Sequence, residues 1–159
     1  ITQLRSRYPE LHLLLTTGTV TSARLMAARL PEGVLHQFVP VDTPQAVTRF
    51  LTHWKPDIGL WVESELWPNL VTHAHAHGCR MALVNGRMSE RSFRKWRLFA
   101  RMSERMLGCF RFIAAQAEED AVRFCALTQT PVENLGNLKF DAADFPADPA
   151  LLSQVGGIA

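Results

Sequence analysis

A chain of 159 residues, 47% apolar and 20% charged, has the composition of one soluble globular domain with ample length to bury a core. Cys79, Cys109 and Cys125 lie far apart with no CxxC pair, which argues against a zinc or disulfide framework and for a reducing compartment; no apolar run is long enough to span a bilayer, and the start does not read as a signal peptide. The net charge of +2 is unevenly spread, because eight Lys/Arg between Arg87 and Arg111 face two acids, a local +6 that leaves −4 elsewhere and speaks of partners rather than of fold.

In chain order, Ile1 to Tyr8 reads as the tail of a helix. Leu11 to Thr16 is a buried-strand run, and Thr17 to Ser22 is a polar turn into a helix over Ala23 to Leu30, with Thr21 or Ser22 as its N-cap. The amides and hydroxyls of that turn could hold a phosphate or carboxylate, although ordinary capping explains them equally well and neither a P-loop nor GxGxxG is present. Val34 to Val39 is the next strand, and Gln45 to Trp54 has helical spacing that Pro56 ends. Ile58 to Val62 reads as a buried strand, followed by a helix over about 66–77 that Gly78 stops. Arg80 to Val84 is a fourth strand broken by Asn85-Gly86, then come one long helix over about 89–107, a strand at Phe110–Ala114, a helix at about 117–127 and a short strand near Val132–Leu135. Strands separated by helical stretches predict right-handed βαβ crossovers and a mostly parallel sheet in an α/β fold. From Asp141 onward the Ala/Asp/Pro-rich run reads as a linker.

The centre of this pattern is Pro56 to Leu70. Its strand stops at Glu63, with Glu65 two positions on, and the carboxyl ends of strands are where open α/β sheets bind ligands. The alternative is that the acids cap the helix starting near Pro68. Two acids flanked by Trp61 and Trp67 favour a site. His73 and His77 share a helical face, but no acid or cysteine stands beside them at ligand spacing, so a solvated face is the better reading than a metal. On the 89–107 helix, Arg94, Arg97, Arg101 and Arg105 fall in one narrow arc opposite Phe93, Trp96 and Phe99. An arginine row nearly free of acids suits phosphates, while nucleic acid fits less well without an RRM, KH or helix-turn-helix pattern.

Six motifs, in order along residues 15–141, resemble the 3-deoxy-D-manno-octulosonic acid (Kdo) transferases. They are Leu15-Thr-Thr-Gly-Thr-Val-Thr-Ser-Ala23, His36-Gln-Phe-Val-Pro-Val-Asp42, Trp61-Val-Glu-Ser-Glu-Leu-Trp-Pro-Asn69, Asn85-Gly-Arg-Met-Ser-Glu-Arg-Ser92, Ala115-Gln-Ala-Glu-Glu-Asp120 and Gly136-Asn-Leu-Lys-Phe-Asp141. The resemblance implies the amino-terminal half of a GT-B glycosyltransferase, a Rossmann-like parallel sheet with helices on both faces. On this reading residues 1–141 are an acceptor domain whose first strand is missing, and 142–159 lead toward an absent donor domain. The parent would be an inverting enzyme of Gram-negative lipopolysaccharide biosynthesis. It would move Kdo from CMP-Kdo to the lipid A precursor, without metal or cofactor, as a peripheral protein at the cytoplasmic face of the inner membrane.

Carried over by position, the resemblance makes Glu63 and Glu65 the acidic pair, with Thr17, Thr19, Arg87, Ser89, Arg91 and Ser92 on the acceptor side. Gln116 falls in the interdomain cleft, and Asn137 and Lys139 at the turn into the second domain. The family's Ser-Val-Gly-Glu motif, whose glutamate is the catalytic base, falls before the stretch matched by Ile1, so the chain alone is expected to be inactive. Two other classes remain open: a module that binds anionic membranes without chemistry, and a nucleotide-sugar epimerase of the same architecture. The acidic pair and the Asn85–Ser92 motif weigh against both.

Overall fold

The computed structural model describes residues 1–141. In chain order the elements are α1 (Thr2–Arg7), β1 (Leu13–Thr17), α2 (Val20–Ala27), β2 (Val34–Phe38), α3 (Pro44–Trp54), β3 (Ile58–Val62) and α4 (Pro68–Ala76). They continue with β4 (Arg80–Gly86), α5 (Glu90–Leu98), α6 (Ala100–Leu107), β5 (Phe110–Ala115), α7 (Glu118–Cys125), β6 (Val132–Asn134) and a 3-10 turn, Leu138–Asp141. The linker expected over 142–159 lies outside the described residues.

Every strand pairing is parallel, as expected where helices supply the crossovers. The strands form two sheets among the described residues, one of order β1-β2 and one of order β3-β4-β5-β6. The core belongs to the larger sheet: Val47 and Leu51 of α3, Val71 and Ala74 of α4, Met106 and Leu107 of α6 and Phe124 of α7 pack with Met81, Leu83 and Ile113 of the strands. No described residue before Val47 is buried.

Local chemistry sets most boundaries. Pro44 and Pro68 open α3 and α4, where a missing amide costs nothing. Lys55 ends α3 in the left-handed region at φ 43°, directly before Pro56. Gly78, at φ 84°, turns the chain out of α4 into β4. The cap of α2 is Thr19 rather than Thr21 or Ser22, which lie inside the helix; Thr19 is still extended at φ −130° and its hydroxyl accepts from the Ser22 amide at 3.1 Å. Burial pushes the Cys79 and Cys109 thiols above their usual pKa, so both resist ionisation, while Cys125 is exposed.

Three expectations need correction. The buried-strand run expected over Leu11 to Thr16 is β1 at Leu13–Thr17, none of whose residues is buried. The strand β3 is not buried: Ile58, Leu60 and Val62 are 60%, 55% and 52% exposed, because β3 is the border strand of its sheet and only the Gly59/Trp61 face meets the core. Trp61 packs edge-on against Phe110 at 5.6 Å. The long helix over 89–107 is two helices, broken at Phe99 (φ −115°, ψ 44°). The buried Ser103 hydroxyl donates to the Trp96 carbonyl at 2.9 Å and satisfies an acceptor near the break. The bend lets Met106 and Leu107 enter the core while Phe93 and Trp96 pack against it from α5. Arg94 and Arg97 therefore stand on one helix and Arg101 and Arg105 on another. Arg94 is also not without a counter-charge, since its guanidinium meets Glu90 at 2.9 Å and holds that carboxyl below the usual range. Arg97 lies over the Phe93 ring at 5.7 Å.

Candidate active site

Parallel order brings the carboxyl ends of β3, β4, β5 and β6 to one edge of the larger sheet, and the segments leaving them are tied to one another. After β3, the Glu63 amide donates to the Val84 carbonyl at 3.0 Å, so the first residue past the strand is still held by β4. Glu63 itself turns at φ 61°, the left-handed conformation that a residue with a Cβ adopts at a cost. That turn sends the chain across to β4, where the Ser64 hydroxyl donates to the Arg87 carbonyl. After β5, the Gln116 amide donates to the Gly86 carbonyl at 2.9 Å. After β6, the Leu138 amide donates at 3.1 Å to the side-chain oxygen of Asn85, which is buried at φ 53°. Glu63, Arg87, Gln116, Asn137 and the backbone of Lys139 thus lie on a connected rim.

Glu65 follows one turn later, exposed, with its carboxylate accepting from the Trp67 indole at 3.1 Å. Neither acid caps α4. The N-cap residue of α4 is Trp67, whose side chain makes no capping bond, and Asp42 serves instead from the β2–α3 connection. One carboxylate oxygen of Asp42 accepts from the Leu70 amide at 2.8 Å and the other from the Asn69 amide at 3.1 Å. Asn69 returns a bond from its side chain to the Asp42 carbonyl at 2.7 Å. With that role filled, the helix-capping explanation of Glu63 and Glu65 loses its ground.

The residues after β4 are held from α7. The Met88 amide donates at 2.7 Å to Asp120, a buried carboxylate in the first turn of α7, and Arg123 donates to the Met88 carbonyl at 2.9 Å. Arg123 also faces Asp120 at 3.8 Å, Glu119 at 3.7 Å and Glu90 at 3.5 Å. This clamp fixes the turn that presents Arg87 and starts α5. Ser89 is the N-cap of α5, accepting from the Ser92 amide at 3.2 Å, with the two hydroxyls 3.0 Å apart. Arg87 and Arg91 are exposed.

Thr17 ends β1 of the smaller sheet, and Thr19, two residues on, is the N-cap of α2. The Thr17 hydroxyl lies 2.9 Å from His36 Nε2 on the neighbouring strand, and the Thr19 hydroxyl serves the cap of α2. His73 and His77 each place Nδ1 against a carbonyl one turn earlier, Asn69 at 2.9 Å and His73 at 2.8 Å, along the exposed side of α4. Sequence reasoning missed Asn85, Asp42, Asp120 and Arg123 as supports. Only Asn85 carried a signal of its own, since asparagine before glycine at a strand end tolerates the left-handed turn.

Comparison with known proteins adds to this geometry. Residues 1–142 match the family profile described as "3-Deoxy-D-manno-octulosonic-acid transferase (kdotransferase)". The chain is 36% identical over 155 residues to a 3-deoxy-D-manno-octulosonic acid transferase of Rickettsia felis, an alignment covering 98% of this chain and 33% of the relative. It is 40% identical over 135 residues to a probable mitochondrial transferase of the same name in Arabidopsis thaliana, covering 82% of this chain and 30% of the relative. A Bordetella pertussis relative with that name is 40% identical over 130 residues, covering 80% and 30%. The chain therefore spans about a third of the length of the relatives it matches.

Proposed function

The chain belongs to the 3-deoxy-D-manno-octulosonic acid transferase family, and we propose that it forms the acceptor-side domain of a GT-B glycosyltransferase that moves Kdo from CMP-Kdo to the lipid A precursor. The observation that carries the reading is the family match over residues 1–142, and the rim joining Glu63, Arg87, Gln116 and Asn137 supports it. In the proposed reaction an acceptor hydroxyl attacks the anomeric carbon of Kdo, the bond to CMP breaks, and CMP leaves with the bonding electrons. The hydroxyl proton passes to a base that the resemblance assigns to a glutamate outside residues 1–159. Glu63 and Glu65 would orient the acceptor and stabilise positive charge developing on the sugar. Arg87 and Arg91, with the hydroxyls of Ser89, Ser92, Thr17 and Thr19, would hold acceptor phosphates. The donor carries its own leaving group, so the proposal takes no metal or cofactor. The epimerase alternative falls with the family match.

The test is transfer by the full-length parent, read as the mass of one Kdo unit added to the lipid A precursor with release of CMP. The 159 residues alone should give no turnover under the same conditions. No transfer by the parent, or turnover by the short chain, would overturn the reading.

Peripheral contact with the cytoplasmic face of the inner membrane is part of the proposal, and the basic α5–α6 segment is its instrument. Each basic residue near an anionic surface contributes about 1 kcal/mol. Arg94 is engaged by Glu90, so Arg97, Arg101 and Arg105 remain as the main contributors. Replacing all four with Gln should lower affinity for vesicles of anionic lipid roughly hundredfold at low salt, and much less at high salt. Co-sedimentation across a salt series measures this; equal binding by both proteins throughout would reduce the segment to a solvated face.

A further inference from the structure

The stretch from His36 to Asp42 has so far one role, the cap that Asp42 gives α4. Its other end faces the smaller sheet. In the parallel register Leu15 pairs with His36 and Thr17 with Phe38, so these four residues share one face. On that face the Thr17 hydroxyl and His36 Nε2 stand 2.9 Å apart, both residues half-buried. The Phe38 ring meets the His36 ring edge-on at 5.8 Å, which restricts how the imidazole can turn. The Val39 amide donates to the Thr17 carbonyl at 3.0 Å, so Thr17 is held through its backbone as well as its side chain. One short stretch therefore grips Thr17 at one end and the first turn of α4 at the other.

What Thr17 can offer a ligand depends on which partner of this pair donates. A threonine hydroxyl has one proton and two lone pairs. If the imidazole leaves Nε2 bare, the Thr17 proton points at it, and only lone pairs face a ligand; those repel a phosphate oxygen. If Nε2 carries a proton, it donates to the Thr17 oxygen, and the hydroxyl proton is left to donate elsewhere. Only the second arrangement makes Thr17 a donor for an anion.

We propose that His36 is a positioning residue of the acceptor site: its Nε2–H donates to the Thr17 hydroxyl and turns the hydroxyl proton toward a phosphate of the acceptor. The inference rests on the reading of Thr17 as an acceptor-side residue and names the group that orients it. His36 touches no substrate in this arrangement. It acts through Thr17.

The full-length parent tests this with the lipid A precursor as ligand, in equilibrium binding without donor and in steady-state transfer. His36→Ala should weaken precursor binding and raise the acceptor KM roughly tenfold, with kcat and the donor KM held within about twofold. Thr17→Val should do the same, and the double variant should be no worse than either one, since each change removes the same oriented hydroxyl. His36→Gln, whose side-chain N–H reaches about as far as Nε2, should restore binding. In the wild type, ring-nitrogen NMR with the precursor bound should find His36 Nε2 protonated. A bare Nε2 would overturn the inference, and this spectrum decides even if the alanine variant does not fold. Additive losses in the double variant would overturn it too, as would a His36→Ala variant that melts early and binds normally. Binding without transfer would remove the proposed reaction, and the same binding comparisons would still decide the orientation of Thr17. No binding by the wild type would overturn both.

Discussion

Asp120→Ala should destabilise the domain by about 3 kcal/mol, read as a fall in the urea midpoint at constant slope. The carboxylate is buried and accepts from the Met88 amide at 2.7 Å, and Met88 is buried as well. Alanine leaves that donor without a partner in a place water does not reach, which alone costs about 1–3 kcal/mol. It also takes from the Arg123 guanidinium its most buried acid and removes a negative charge from the first turn of α7. Asp120→Asn keeps an oxygen for Met88 and should lose about 1 kcal/mol. In the parent enzyme the alanine variant should lose activity beyond its loss of folded protein, because the clamp holds the turn bearing Arg87 and Ser89. Wild-type stability in both variants would show that the clamp is dispensable.

In the full-length parent, Glu63→Gln and Glu65→Gln should each lower turnover roughly a hundredfold while leaving the thermal midpoint almost unchanged. The stability half of this expectation follows from the structure. Glutamine has the backbone preferences of glutamate, so the turn at φ 61° is no worse for the change. The start of α4 is served by Asp42, and the Trp67 indole can donate to an amide oxygen as well as to a carboxylate. What glutamine removes is charge. Steady-state rates with CMP-Kdo and acceptor, beside calorimetry on the same preparations, separate the outcomes. Full rate with an early melt would make the pair structural; an Asp42→Ala control should melt early whatever the acids do, by about 1 kcal/mol.

Much of this was readable in the chain itself, and the parts that were not share a cause. Alternation of apolar runs with helical periods marks β1 to β6 and the helices between them, since both signals are local and Pro44, Pro56, Pro68 and Gly78 punctuate them. The acids at the end of β3 stand out for the same reason. A five-residue apolar run, however, looks alike at the border and in the middle of a sheet, so the exposure of Ile58, Leu60 and Val62 could not be read from it. Periodicity also carries across Phe99, because apolar residues continue on both sides of the break. Asp42 meets α4 across 28 positions and Asp120 meets Met88 across 32, separations at which no pattern in one sequence announces a partner.

The backbone at Glu63 has a consequence for anyone who engineers this protein. A residue at φ 61° is most at ease as glycine, and a side chain with a Cβ gives up about 1 kcal/mol to stand there. Glu63→Gly relieves that backbone cost, but it also gives up the side chain's own interaction, frees the unfolded chain and discards a carboxylate from the rim of the proposed site. A library screened for stability should therefore leave this position untouched, because the melting temperature does not report on the role proposed for its carboxylate.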